Sequence, residues 1–215
     1  MLIDLSHPLP NGAKSFPGDP VYRTSPHVTH EKDRFSVTNI SMGSHQGTHL
    51  DAPYHFYADG KTIDQMPLEP FYGPAKLVDL APGGELEANS ELTIETFAEH
   101  ADAFQPGARL ILRTGWEKNF GSETFFTDFP SVTPEAAEWI AGTGIILLGM
   151  DLPTPGKDPW GTHLPLLAQG TEVVIIESLR NLEKLPETFI LVAFPLNLKG
   201  LDGSPVRAVA IIEEA

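Results

Sequence analysis

The hydrophobic positions of this chain fall mostly into short runs rich in Val, Ile and Leu. Most runs are bounded by Gly, Pro or charged residues, as strands buried inside a sheet are. One longer stretch alternates well enough between apolar and polar residues to be a strand as well. The pattern predicts strands at residues 2–5, 36–51, 75–80, 109–113, 145–150, 173–177, 189–194 and 206–212.

Three stretches favour helices. Residues 93–104 carry apolar side chains at helical spacing, and residues 133–142 begin with a capping threonine and a proline and end at a glycine. A shorter helix is predicted at residues 162–170, with His163 in its first turn. Because strands outnumber helices, we predict one α/β domain over residues 1–215, with a mixed sheet and few helices.

Composition narrows the possible partners. The chain has 215 residues, enough for one domain with a sizeable core, and its 29 acidic residues against 14 Lys and Arg give a net charge of −15. That excess of acid argues against nucleic acid or an anionic membrane surface as a partner. The absence of Cys excludes disulfides and cysteine-type structural zinc.

The N-terminal residues predict no export signal. An acid stands at position 4, and no basic region followed by an apolar run is present. No apolar stretch reaches about 18 residues, the length that a membrane span needs. We therefore expect a cytoplasmic protein.

Residues 45–55 hold the most informative pattern, His-Gln-Gly-Thr-His-Leu-Asp-Ala-Pro-Tyr-His. In an extended strand alternate side chains share a face, so His45, His49 and Asp51 would point the same way, with Gly47 leaving space between the imidazoles. Imidazole and carboxylate are the usual ligands of Zn²⁺, Mn²⁺ and Fe²⁺. The alternative, three ordinary histidines in a polar turn, is disfavoured because protonated imidazoles repel and buried ones need partners.

Three protein ligands leave open positions on a metal, which favours a catalytic site over a closed structural one. Further ligands could come from downstream. Asp151 follows the predicted strand 145–150, His163 begins a helix, and Glu177 ends the strand 173–177. Each also has an ordinary structural interpretation, as a turn cap, a surface helix start or an exposed strand end.

The 45–55 stretch matches, at every defined position, the signature His-x-Gly-Thr-His-x-Asp-x-Pro-x-His of the cyclase-like metal hydrolases. This family includes bacterial kynurenine formamidases and isatin hydrolases. Nearly the whole chain resembles it, since further family-like stretches lie at residues 4–6, 17–19, 114–116, 177–181 and 203–208. The resemblance implies a swivelling β/β/α fold and a homodimer or homotetramer.

The resemblance also implies a metal site. One or two divalent ions, Zn²⁺ or Mn²⁺, would be held by His45, His49 and Asp51, with His163 and Glu177 as downstream ligands. Asp51 or Glu177 would be able to bridge two ions. The separation between His163 and Glu177 is two residues longer here than in the kynurenine formamidases.

His55 matches the family's catalytic acid/base. In that role it would take a proton from the attacking water and deliver it to the leaving nitrogen, which departs poorly unless protonated. The alternative is a residue that hydrogen-bonds Asp51 and orients it, because ligand carboxylates are routinely held in this way.

Aromatic residues supply candidate substrate walls. Phe16 stands where the formamidases have Trp before Pro-Gly-Asp, so an aromatic wall is kept but the indole donor is lost. Trp160, close to His163, is a second candidate. The aromatic-rich residues 116–129 predict either core packing or a subunit contact, or else an aromatic pocket or lid over a flat substrate.

Residues and resemblance together predict a metal-dependent amidohydrolase. It would cleave the C–N amide bond of a small aromatic substrate, in the manner of an arylformamidase of tryptophan catabolism. Two alternatives remain open: a cyclic-amide hydrolase of the isatin type, and a non-enzymatic metal-binding or ligand-binding protein on the same scaffold.

Overall fold

A nine-stranded mixed sheet runs through the computed structural model, which describes residues 1–212. In spatial order its strands are β1 (Leu2–Asp4), β13 (Val209–Ile211), β11 (Thr188–Val192), β5 (Tyr72–Asp79), β7 (Arg109–Arg113), β9 (Leu147–Met150), β10 (Val174–Glu177), β4 (His49–Asp51) and β12 (Gly203–Pro205). Two small ribbons accompany it, one of β2 (Arg23–Val28) with β3 (Val37–Ser41) and one of β6 (Glu91–Leu92) with β8 (Ser131–Val132).

Helices are few and short. The α-helices are α1 (His30–Asp33), α2 (Ile94–Ala98), α3 (Pro134–Gly142) and α4 (Pro159–Leu167). Short 3₁₀ turns lie at Pro53–His55, Ile63–Gln65, Glu69–Phe71, Ala101–Ala103, Trp116–Asn119 and Leu182–Lys184. None of the helices in residues 1–212 is long and apolar enough to cross a bilayer. The predicted α/β class, a mixed sheet with few helices, is confirmed.

The centre of the sheet is parallel and buried on both faces. Strands β5, β7, β9 and β10 run parallel, and their neighbours on either side run antiparallel. Leu148 and Ile175 pack into one core with the helices, while the adjacent Leu147 and Ile176 pack into a second core on the other face. Burial on both faces explains why these strands read as uninterrupted apolar runs.

Local signals account for the best-predicted helix. The Thr133 side chain accepts a hydrogen bond from the Ala136 backbone N, and Pro134 occupies the first helical position. Ala137 and Ile140 lie on the buried face of α3 and pack into the first core. The short helix α2, by contrast, ends at Ala98, and a separate 3₁₀ turn replaces the rest of the predicted helix 93–104.

The predicted strand 36–51 is wrong. The chain forms β3 in the small ribbon, leaves it, turns, and re-enters the main sheet as β4. Gly47 in that turn has a φ of +63°, a left-handed conformation that a continuous strand cannot contain. His45 therefore lies in a turn, while His49 and Asp51 are in a strand as predicted.

Helix α4 begins three residues before the predicted start. Asp158 caps it by accepting a hydrogen bond from the Gly161 backbone N at 3.0 Å, and Pro159 takes the first position. His163 is consequently one turn further into the helix than expected. The apolar pattern alone missed this because the capping residues lie upstream of the apolar run.

Candidate metal centre and active site

Strands β4 and β10 place three metal-ligating side chains side by side. Their antiparallel register sets His49 directly opposite Glu177, the last residue of β10. Asp51 lies two residues along β4, on the same face as His49, while Leu50 between them points into the second core. Nε2 of His49 is 3.2 Å from Oε2 of Glu177 and 3.3 Å from Oδ1 of Asp51.

His163 joins this group from helix α4. Its Nε2 lies 3.5 Å from Oε1 of Glu177 and 3.7 Å from Oδ2 of Asp51. The Nδ1 of His163 contacts the Pro159 carbonyl at 2.8 Å, and the Nδ1 of His49 contacts the Gly47 carbonyl at the same distance. A carbonyl can only accept, so both Nδ1 atoms donate and both Nε2 atoms stay free, the tautomer that metal-ligating histidines need.

His45 reaches the group from the turn before β4. Its Nδ1 lies 2.8 Å from Oδ1 of Asp51, and its Nε2 lies 3.0 Å from Oδ2 of Asp202. The conformation of the turn depends on Gly47, where an added Cβ would come within 2.7 Å of Leu9. Leu9 thus occupies the space that the sequence predicted beside Gly47, and a glycine is needed at this position because of the conformation of the turn.

The donor set fits a divalent cation. Ligands about 2.1 Å from a tetrahedral ion are about 3.4 Å apart, close to the 3.2–3.7 Å separating these nitrogen and oxygen atoms. Nε2 of His49 and Oδ2 of Asp51 are buried without a hydrogen-bond partner. Within residues 1–212, two groups of candidate ligand atoms lie within 4.8 Å of one another, namely His45 with Asp51 and His55, and His49 with Asp51 and Glu177. Asp51 belongs to both groups.

The electrostatics of the group also favour a cation. Burial opposes the charged imidazole of His45, but Asp51 and Asp202 outweigh it and raise the pKa of His45 to about 9. Burial likewise opposes the imidazolium of His163, and Asp51 and Glu177 raise its pKa to about 9. The pKa of Asp51 is held well below its usual range despite burial, chiefly by His45. Buried carboxylates thus recruit positive charge, and a metal would bind by displacing protons.

His55 lies at the solvent side of the group. It follows β4 in the Pro53–His55 turn, is half-buried, and stacks on His45 with ring centroids 3.9 Å apart. Its Nδ1 is 3.7 Å from Oδ2 of Asp202. His55 is therefore beside the metal ligands and open to solvent, which suits proton transfer, although one of its nitrogens is also near enough to ligate.

Asp202 is the site residue that the sequence interpretation missed. Its Oδ2 faces both His45 and His55, and the Ser44 hydroxyl donates to Oδ1 at 2.9 Å. The hydrogen bond from His45, with the His55 imidazole nearby, holds the pKa of Asp202 well below its usual value. In sequence, Asp202 is 157 residues from His45, and its one signal is its place directly before the family-like stretch 203–208.

A cleft with aromatic walls opens beside the metal ligands. Its volume is about 540 Å³, open solvent included, and its lining contains His45, His49 and Glu177. Phe16, Phe120 and Phe126 also line it, and Phe16 contacts Phe126 edge-to-face with centroids 5.9 Å apart. Such a cleft suits a flat aromatic molecule held near the centre.

The remaining aromatic candidates divide between core and cleft. In residues 116–129, Trp116, Phe125 and Phe129 are buried in the first core, which confirms core packing for that part of the segment. Phe120 and Phe126 line the cleft, and a lid role for the segment stays a prediction.

Trp160 is exposed and packs against Phe56, which in turn stacks on His163. Trp160 therefore contacts the candidate ligand His163 through Phe56, and it does not line the cleft.

Asp151, the other downstream candidate, lies outside the ligand groups. Its buried carboxylate accepts hydrogen bonds from the Thr114 hydroxyl at 2.7 Å and from the Gly115 backbone N at 2.7 Å. Both carboxylate oxygens of Asp151 are thus hydrogen-bonded to the turn after β7 and are not free to bind a metal. The structural interpretation, a carboxylate that fixes a turn, accounts for Asp151.

Comparison with known proteins gives the family. The family model named "Cyclase", described as "Putative cyclase", matches residues 3–157. The chain belongs to the cyclase family. Kynurenine formamidase of Bacillus mycoides (strain KBAB4) is 33% identical over 96% of this chain and 95% of its own length. Kynurenine formamidase of Bordetella avium (strain 197N) is 34% identical over 97% of this chain and 96% of its own length.

The solved structures agree with this assignment. Isatin hydrolase A from Labrenzia aggregata, bound to benzyl benzoate, superposes with a TM-score of 0.88 at 27% identity, covering 100% of this chain and 94% of its own. The predicted family is confirmed, and so is the predicted enzyme class, a metal-dependent hydrolase of C–N bonds other than peptide bonds. The individual roles of the site residues remain predictions.

Proposed function

We propose that this cyclase-family protein is an arylformamidase, hydrolysing the C–N bond of a small N-formylated aromatic amine. The observation that carries the proposal is the buried group of His49, Asp51 and Glu177, which opens into a cleft with phenylalanine walls. The kynurenine formamidases similar to this chain over nearly its whole length support the same substrate class.

A divalent ion, Zn²⁺ or Mn²⁺, would be held by His45, His49, Asp51, His163 and Glu177. When bound it would supply Lewis-acid activation of the amide carbonyl and of water. The protein's part is to fix these ligands in one orientation before substrate arrives. The Gly47 and Pro159 carbonyls do this for two of the imidazoles.

Proton transfer falls to His55. With Nδ1 facing Asp202, the opposite ring nitrogen, Nε2, is available to take a proton from water and to give it to the departing amine nitrogen. Asp202, whose Oδ2 lies 3.7 Å from Nδ1, would hold the ring in place during both transfers. Both steps need a group that reaches solvent, and His55 is half-buried rather than enclosed.

The cleft would set substrate orientation. Phe16, Phe120 and Phe126 offer apolar faces and edges to an aromatic ring, which would bring an attached formyl group toward His49 and Glu177. Filling the cleft with an aromatic ring would also remove water that competes with the substrate for the polar groups.

A second candidate is a cyclic-amide hydrolase. The similarity to isatin hydrolase A favours it, because a fused bicyclic ring fits a flat aromatic cleft as well as a formylated amine does. Ring opening uses the same proton delivery to nitrogen. The non-enzymatic alternative predicts a closed ligand shell and no proton carrier, and a half-buried His55 beside the ligands argues against it.

One assay panel tests these candidates. Protein loaded with Zn²⁺ or Mn²⁺ is given N-formylkynurenine, simpler N-formyl aryl amines and isatin, and kcat/KM is measured for each. We expect formyl amides to be hydrolysed with the higher kcat/KM. His49→Ala should lose metal and activity together, whereas His100→Ala, a histidine outside both ligand groups, should keep both. Turnover of isatin alone would favour the second candidate, and a metal-loaded protein inactive on the whole panel would favour the binding protein.

A further inference from the structure

The loop of residues 13–20, here called the wall loop, carries part of the cleft lining but has little core of its own. Ser15, Phe16 and Asp19 line the cleft, whereas Ala13 is the one residue of the loop that is fully buried. The Asp19 backbone N donates to the Phe16 carbonyl at 3.0 Å, and this bond shapes the loop without attaching it to the rest of the molecule. The backbone that carries Phe16 therefore depends on an attachment from outside the loop.

Gln46 supplies that attachment. Its side-chain Nε2 donates to the Lys14 carbonyl oxygen at 3.0 Å. Among the hydrogen bonds of residues 1–212, this is the one that joins the wall loop to a residue outside positions 10–20. Gln46 is 1% exposed, so water cannot replace the bond, and its Oε1 is buried without a hydrogen-bond partner. The amide thus keeps its contact with Lys14 although this leaves a buried acceptor unsatisfied, which is unfavourable.

Gln46 also stands in the turn that orients two candidate metal ligands. His45, directly before it, contacts Asp51 through Nδ1 at 2.8 Å. The carbonyl of Gly47, directly after it, accepts a hydrogen bond from Nδ1 of His49 at 2.8 Å. The backbone on either side of Gln46 therefore sets the ligands, while its side chain holds the wall loop.

Two further contacts attach the chain before the wall loop to the same turn. The His7 backbone N donates to Oγ1 of Thr48 at 3.0 Å, and Leu9 lies where a Cβ on Gly47 would come within 2.7 Å of it. Both contacts lie before position 10, so they do not reach the wall loop itself. The bond from Gln46 is the tether at the Phe16 end of this segment.

We propose that Gln46 is a positioning residue that aligns the aromatic wall of the cleft with the candidate metal ligands. It acts on Phe16 through the Lys14 carbonyl, from a turn that also sets His45 and His49. The inference rests on the proposed function, in which a ring against Phe16 brings the formyl group toward the ligands. Because the wall contacts the ring and not the reacting bond, loss of the tether should weaken substrate binding more than it slows the chemical step.

Gln46→Met tests this role, because methionine is similar in length but has no amide. The substitution removes the bond to Lys14 together with the unsatisfied acceptor, so the melting temperature should change little. In metal-loaded protein, KM for formanilide, a simple N-formyl aryl amine, should rise about 3- to 10-fold, the change to which one lost hydrogen bond corresponds. The kcat and the metal content should stay close to those of the unaltered protein.

Hydrogen exchange followed by mass spectrometry reports on the wall loop directly and needs no catalysis. Peptides that cover residues 13–20 should exchange at least about 3-fold faster in Gln46→Met, because the loop opens more often without its tether. Peptides that cover β4 should exchange as in the unaltered protein. Gln46→Asn, whose amide is one methylene too short for the contact, should give the same two results if the methionine variant does not fold.

Thr143→Val is the matched control. It also removes a side-chain hydrogen bond to a backbone carbonyl, that of Ile140 at 2.6 Å, but at the end of α3. This variant should melt at a lower temperature and keep the KM and the wall-loop exchange of the unaltered protein. A rise in KM as large as that of Gln46→Met would show that lost stability alone explains the effect, and would overturn the proposal.

Unchanged KM, unchanged exchange of the wall loop, or loss of metal in the Gln46 variants would each overturn the proposal as well. If the unaltered protein hydrolyses no formyl amide, the proposed function fails. The exchange of residues 13–20 then decides by itself whether Gln46 holds the wall loop.

Discussion

Asp51 connects the two halves of the candidate metal centre. Its Oδ1 faces Nδ1 of His45 and Nε2 of His49, and its Oδ2 faces Nε2 of His163. The side chain is almost fully buried, so its charge has no water to compensate it. Asp51 belongs to both groups of candidate ligands, so a change in its position would affect both.

Replacement of His55 by alanine separates proton transfer from metal binding. The group of His49, Asp51 and Glu177 is complete without His55, so His55→Ala should keep metal on that group and keep the fold. The kcat should fall about 10²-fold, the usual contribution of a general acid/base. The loss should be smaller with activated esters, whose leaving group needs no proton. Complete loss of metal in a metal analysis would instead make His55 a ligand.

Replacement of Asp202 by asparagine should disturb His45 and His55 without removing a ligand. The amide nitrogen would face imidazole N–H groups that now meet a carboxylate oxygen. We expect kcat to fall about 10- to 100-fold with metal content unchanged, the effect typical of an outer partner of a ligand. The pH–rate profile should also shift to lower pH, because a negative charge beside the imidazoles is lost.

Ser44→Ala is the matched control for that experiment. It removes the hydroxyl that donates to Oδ1 of Asp202 but leaves Oδ2 facing the two imidazoles. Its effect on kcat should be several-fold smaller and its pH profile unshifted. Equal effects from the two variants, or none from Asp202→Asn, would remove Asp202 from the proton-transfer machinery.

At the residue scale, the sequence correctly predicted which side chains come together, but it did not predict the backbone conformation that brings them together. His45, His49 and Asp51 do converge, but His45 arrives from a turn rather than from a strand face. Asp202 could not be predicted, because nothing in local spacing connects a carboxylate with a histidine 157 residues away. Only the register of two strands brings them together.

At the scale of elements, the site depends on β4, a strand of three residues between β10 and β12. Register sets His49 opposite Glu177 on one side and Pro205 on the other, and Gly203 opposite Asp51. The close approach of β12 to β4 brings the Asp202 carbonyl to the Ala52 backbone N at 2.9 Å. A one-residue slip would send His49 and Asp51 to the opposite face.

Gly203→Ala tests how tightly β12 must pack. An added Cβ would lie 2.6 Å from the Leu50 carbonyl oxygen and 2.9 Å from Cε1 of His45, so β12 or His45 must move. We expect metal affinity to fall at least several-fold and unfolding to become easier by about 1–3 kcal/mol, as overpacking typically costs. Calorimetric titration with Zn²⁺ and thermal melts measure the two effects.

Gly84→Ala is the control, since nothing lies within 4 Å of its added Cβ. It should match the unaltered protein in both measurements. Unchanged metal affinity in Gly203→Ala would show that His45 tolerates displacement and that this contact is not required for the site.

Elements with uniform burial were the ones that sequence predicted well. Strands β7, β9 and β10 are buried on both faces and appear as apolar runs, and α3 carries its own cap signals. The prediction for residues 36–51 was wrong because the alternation of apolar and polar residues continues through the turn. The left-handed conformation of Gly47 in that turn cannot be detected from a hydrophobic pattern. Short edge strands such as β12 depend on pairing partners far along the chain and lack a local pattern.

At the scale of the whole molecule, the excess of acidic residues makes electrostatic repulsion strongest where two carboxyl groups lie close together. Glu117, in the turn Trp116–Asn119, accepts a hydrogen bond from the Asn181 backbone N and lies against the Glu183 carboxyl group. Burial and the neighbouring Glu183 raise the pKa of Glu117 to about 8. In a chain of net charge −15, one further ionisation at a half-buried position adds to a repulsion already present.

Glu117→Gln should therefore remove part of the protein's sensitivity to alkaline pH. The carboxyl group has a reference pKa of 4.5, taken here for the unfolded chain, and about 8 when folded, so its favourable contribution is complete below pH 4.5. Between those values the folded state holds a proton that the unfolded state releases, so the contribution is lost as pH rises.

The glutamine of the variant can accept a hydrogen bond from Asn181 and donate one to Glu183 at every pH. Melting temperatures from pH 5 to 8.5 should thus fall less steeply for Glu117→Gln than for the unaltered protein, with the variant the more stable at pH 8.5. Glu123→Gln, at an exposed position, should follow the unaltered curve, and parallel slopes for all three proteins would show that Glu117 holds no such proton.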